Sequence, residues 1–177
     1  MFTAELNTYS PSKAFVKIWK HLKPKSNQNK IFQRLIVSIF YCNKISPLYF
    51  DSSFFPYKNI EFDCATFSKE NGPIIIHLIK NCESSLGEII NKNNLLRQIY
   101  PTLISFLVTM DAKEAANANK KIKTGQILGL DEVVVADTAA FDKLIDELKT
   151  YTLYDPEPVE VLTSTRFISG QPTDSDK

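Results

Sequence analysis

Glycine is scarce in this chain: five in 177 residues, four of them at or beyond Gly87. That scarcity argues against a glycine-rich phosphate loop and against the many tight turns of an all-β sandwich. Walker, dinucleotide-binding, nucleophile-elbow and zinc-protease patterns are absent. Cysteine is sparser still. Cys42, Cys64 and Cys82 form no C-x-x-C pair, which excludes a zinc ribbon and a thioredoxin-type redox motif. Their odd number and wide spacing fit reduced thiols in a cytoplasmic protein. Met1 to Asn7 lacks the basic-then-apolar pattern of a signal peptide. The strongest apolar stretch, Leu95 to Met110, is interrupted by Arg97, Gln98 and Pro101 and falls short of the roughly 20 residues that span a bilayer. No membrane partner is expected.

What is present is sorted by position. Residues 1–60 carry nine Lys/Arg against two Asp/Glu, a net of +7, whereas residues 131–177 carry four against eleven, a net of −7. The total of +1 therefore conceals two oppositely charged ends. Such asymmetry points to an anionic partner at one end, a basic partner at the other, or contact between the two. The apolar fraction of 44% suits an ordinary globular core.

Periodicity predicts helices. Ser10 and Pro11 sign a start, and Phe15, Ile18, Trp19 and Leu22 then fall on one face with Lys13, Lys17 and Lys20 opposite; Pro24 ends the run. A second, strongly apolar helix is expected from about Ser26 to Cys42 through Phe32, Leu35, Ile36, Ile39 and Phe40. Between Asn43 and Asn59, two prolines and many aromatics predict an irregular covering segment, followed by a short strand over Ile60 to Phe67. Ile75, Leu78, Ile79, Cys82, Leu86, Ile89 and Ile90 keep helical spacing after Pro73, predicting a third helix to about Asn91 and a fourth, kinked at Pro101, over Leu95 to Met110. Asp111 to Lys123 reads as an exposed helix, and Val133 to Val135 as either strand or helix start. Phe141, Leu144, Ile145 and Leu148 form the face of a last helix. The fold expected is mainly α: one helical domain over residues 1–152, of about five helices with minor β structure, and an extended C-terminal arm over 153–177 with a disordered tip.

Two reactive constellations invite a catalytic reading and do not sustain it. His77 and Cys82 lie five apart, a poor angular match on a helix, in apolar surroundings that suit a core histidine and an inert thiol. Glu147-Leu148-Lys149 with Asp131 or Asp137 has a nuclease-like outline, but on a helix it reads as a solvated acidic face. No catalytic residue, metal or cofactor is therefore expected. The basic run Lys13, Lys17, Lys20, Lys23, Lys25, Lys30 and Arg34 is the candidate nucleic-acid surface, suited to phosphate contact rather than base reading. Tyr49, Phe50, Phe54, Phe55 and Tyr57, with Val159, Val161, Leu162, Phe167 and Ile168 of the arm, are the candidate partner-binding residues. The role expected is that of a non-enzymatic adaptor subunit bound to larger proteins, in an intracellular assembly acting on nucleic acid, such as an ATPase–nuclease antiviral defence complex. The alternatives are a small protein that binds DNA or RNA phosphates directly through its basic N-terminal helices, and a nuclease or thiol hydrolase.

Overall fold

The computed structural model describes residues 9–53, 60–82 and 85–156. Among them the chain runs α1 (Pro11–Leu22), α2 (Gln28–Cys42), β1 (Tyr49–Ser53), β2 (Glu61–Ser68), β3 (Gly72–Leu78), α3 (Leu86–Arg97), β4 (Ile104–Thr109), α4 (Ala112–Lys123), β5 (Glu132–Val135) and α5 (Ala139–Leu148). The strands form one mixed sheet in the order β1-β2-β3-β4-β5. β1, β2 and β3 make an antiparallel meander, and β3, β4 and β5 are parallel, joined by α3 and α4.

This is an α/β fold, which corrects the mainly-α expectation. The helix predicted from Pro73 is β3 as far as Leu78, with α3 beginning only at Leu86, and the helix predicted over Leu95 to Met110 is the end of α3 followed by β4. Pro101 stands in the turn between them. The physical cause is burial on both faces. Ile74, Ile75 and Ile76 are each fully buried because β3 lies mid-sheet with helices above and below, so its sequence shows no alternation. The Asn43–Asn59 segment also contains a strand, β1, where irregular chain was expected.

Alternate residues of the central strands face different layers. Ile74, Ile76, Leu78, Phe106, Val108 and Val134 pack against Phe15, Phe32, Phe40, Phe141 and Leu144 of α1, α2 and α5. On the other face, Ile75 joins Phe62, Phe67 and Leu96, while Leu107 and Val133 join Ile89, Ala115 and Ala118 of α3 and α4. α1, α2, α4 and α5 match their expected positions. Phe15 stacks on Trp19 with centroids 5.8 Å apart and meets Phe32 edge-on at 5.7 Å. Leu22, expected inside, stays exposed. The start of the arm pairs with β2: Leu153 bridges Ser68, and the Tyr154 N–H donates to the Phe67 carbonyl at 3.0 Å. No helix among the described residues is long and apolar enough to cross a membrane.

Candidate functional site

The carboxyl ends of β3, β4 and β5 share one edge of the sheet, the place where ligands gather in open α/β sheets. Here the β2–β3 ladder ends at Cys64↔Ile76. Beyond it, side chains take over the backbone of β3. The Leu78 N–H donates to Asp63 Oδ2 at 2.9 Å, and the Leu78 carbonyl accepts from Gln33 Nε2 at 2.9 Å. The next residue but one, Lys80, is held at both backbone atoms. Its N–H donates to Asn29 Oδ1 at 2.8 Å, while its carbonyl accepts the Met110 N–H at 3.0 Å and the Thr109 hydroxyl at 2.8 Å. α2 is thereby tied along this edge through Asn29 and Gln33.

Two hollows flank that tie. The first, of about 440 Å³, is lined by Trp19, Lys20, Lys23, Gln28, Lys80 and Met110, among others. Three lysines from α1, the α1–α2 connection and the end of β3 thus converge on one concavity. The first turn of α2, which opens beside it, contains no acidic residue. The second hollow, of about 480 Å³, lies on the other side of the tie and is lined by Lys30, Gln33, Arg34, Tyr41, Phe50, Asp51 and Asp63, with Val37, Ser38 and Leu78. Burial raises the Asp63 carboxyl above its usual range; the Leu78 N–H and Lys92 pull it back, and neighbouring Asp51 raises it again. Lys30 meets Asp51 at 3.8 Å, an exposed pair of small net value.

Comparison with protein-family models, with curated proteins and with solved structures finds no match for this chain.

The structure distributes the predicted residues unevenly. Lys20, Lys23, Lys30 and Arg34 stand around the two hollows, all exposed. Lys13 and Lys17 continue along the outer side of α1, where Lys17 donates to the Tyr9 hydroxyl at 2.8 Å and lies over that ring. Lys25 is exposed in the α1–α2 connection. Of the partner-binding set, Phe50 is exposed, but Tyr49 packs edge-on against Phe67 and its hydroxyl donates to Asp155. Burial and that carboxylate both raise the Tyr49 pKa. Phe54, Phe55, Tyr57, Val159, Val161, Leu162, Phe167 and Ile168 lie outside the described residues.

The two reactive constellations do not assemble. His77 hydrogen-bonds Asn93 at 3.1 Å, and Cys82 interacts with Thr109. Asp131 precedes β5 and accepts from the Ser105 N–H and from Arg97, whereas Asp137 follows β5 at the opposite edge. Lys80, Asp63 and Gln33 were missed by sequence reasoning, because each acquires its position only through strand order. A further hollow, of about 580 Å³, lies at the far end of α2 and gathers Lys44 and Lys149 as its charged groups among the described residues.

Proposed function

We propose that this protein binds the phosphate backbone of a nucleic acid through the basic edge built by α1, α2 and the end of β3, and serves as an accessory subunit of a cytoplasmic assembly rather than as an enzyme. One observation carries the reading: Lys20, Lys23 and Lys80 converge on a single hollow at the carboxyl edge of the parallel strands, with Lys30 and Arg34 continuing along α2. Lysines are mobile point charges that neutralise phosphates without reading bases. Lys80 is pinned at its backbone, Lys20 sits within α1, and the Lys23 N–H donates to the Trp19 carbonyl at 3.2 Å, so all three are carried on hydrogen-bonded backbone. The net −7 of the last 47 residues supplies the counterpart, a charge that keeps polyanions off the rest of the molecule.

The test is fluorescence anisotropy of a labelled oligonucleotide over a salt series. Wild-type protein should bind with a steep negative slope of log affinity against log salt. The combined change Lys20→Glu, Lys23→Glu, Lys80→Glu should flatten that slope by roughly two to three, about one for each phosphate no longer neutralised. Equal binding by both proteins, or none by either, would overturn the reading.

A further inference from the structure

Resting on the phosphate-binding reading, we infer that the second hollow takes an unpaired nucleotide, so that the nucleic acid bound is single-stranded. The hollow brings together what such a site needs and what a duplex backbone has no use for. Tyr41 and Phe50 form an aromatic corner, with ring centroids 6.0 Å apart and planes at 81°, and both residues are more than two-fifths exposed. Exposed aromatics beside cations are platforms on which unstacked bases lie, since every base has a π-face. A duplex keeps its bases stacked on one another and offers nothing to these rings.

Cations stand at the same wall. Arg34 has no carboxylate partner among the described residues, and Lys30 is held only by the long, exposed pairing with Asp51. Either can meet the phosphate of the nucleotide whose base lies on the corner. Asp63 supplies the remaining element. One of its oxygens accepts the Leu78 N–H, and the other has no donor among the described residues. A carboxylate in a nucleic-acid site repels phosphate but accepts from the amino group of a base. Its placement beside the aromatic corner therefore orients a strand with base inward and phosphate toward Arg34 and Lys30. The volume of about 480 Å³ lies within the roughly 300–1,000 Å³ of small-ligand sites. The lysine hollow across the Asn29–Gln33 tie then receives phosphates of the neighbouring nucleotides.

The experiment compares a labelled single-stranded oligonucleotide with a duplex of the same length, using the full chain. The single strand should bind at least tenfold more tightly. Phe50→Ala and Tyr41→Ala should each weaken the single strand by roughly five- to a hundredfold with an unchanged salt slope, because they remove stacking and no charge. Both side chains are exposed, and thermal unfolding of each variant serves as the folding control. Equal affinity for strand and duplex, together with intact binding by both aromatic variants, would overturn the inference while leaving phosphate binding in place. Absence of any nucleic-acid binding by wild-type protein would overturn both. Competition by a free mononucleotide as effective as that of the strand would overturn the single-strand assignment and leave a nucleotide pocket.

Discussion

The carboxylate of Asp142 in α5 caps the first turn of α1 through Ser12: Oδ1 accepts the Ser12 backbone N–H at 2.8 Å and Oδ2 its hydroxyl at 2.7 Å. The N-cap residue itself, Ser10, makes no side-chain cap bond, so an acid from the far end of the sequence takes that role. The positive and negative ends of the chain thus meet at a defined point.

Asp142→Ala should therefore destabilise the fold by about 1–3 kcal/mol, the cost of leaving the buried Ser12 donors unpaired. Asp146→Ala, one turn away on the exposed side of α5, serves as the control and should cost less than about 0.5 kcal/mol. Urea midpoints of the two variants decide it.

His77 predicts acid sensitivity. Burial lowers its pKa to about 4 from 6.5, although its hydrogen bond to Asn93 favours the charged ring. Asn93 Nδ2 donates to the Gly129 carbonyl at 2.8 Å, so Asn93 Oδ1 is the acceptor and the neutral imidazole carries its proton on Nε2. The unfolded chain binds the proton first. Stability is therefore fully present above about pH 6.5, falls as pH drops toward 4, and loses roughly 3 kcal/mol across that window. The difference between wild type and His77→Gln, followed by thermal unfolding from pH 7 to 4, should shrink over the same range. A constant difference would show that the ring is not held neutral.

Gly129 has φ +91°, and a Cβ there would run into the Asn94 side-chain amide. Asn94 is exposed and can swing away, whereas the backbone conformation cannot change without moving a carbonyl that accepts from both Asn93 and Ser105. Backbone strain should dominate. Gly129→Ala is expected to cost about 1–2 kcal/mol, and adding Asn94→Ala should recover less than half of that. Full recovery would assign the cost to the clash instead.

Thiol labelling under native conditions should find one fast cysteine. Cys64 and Cys82 are buried and their thiols are pushed up by that burial, whereas Cys42 is half-buried at the wall of the 580 Å³ hollow. Cys42→Ser should abolish the fast phase and leave two thiols that react only on unfolding.

Amphipathic helices were legible where one face meets water. Phe15, Ile18, Phe141, Leu144 and Ile145 repeat at helical spacing because α1 and α5 each bury a single stripe. β3 was misread for the opposite reason. Its three consecutive isoleucines carry no period, and Leu78, Cys82, Leu86 and Ile89 happened to extend a helical spacing across what is really a strand, a turn and a new helix. Four of the five cations of the basic edge, Lys20, Lys23, Lys30 and Arg34, were visible as a charge run in residues 20–34. Lys80 and Asp63 were not, since isolated charges gain meaning only when antiparallel and parallel neighbours bring β2 and β3 to α2.

The sheet order follows the sequence without a single permutation, so every strand after the first pairs with the strand that precedes it in the chain. Most pairing is local in that sense, and it can proceed as the chain grows. The layer formed by α1 and α2 is different. Phe40 meets Phe141 only after the five strands have been laid down, and Ser12 meets Asp142 across 130 positions. The part of that layer that faces α5 is thus covered late, after the sheet. Phe15 and Phe32 can cover each other, and Ile74, Ile76 and Leu78 can cover both, before α5 exists, but the layer is complete only when residues 141 and 142 are in place.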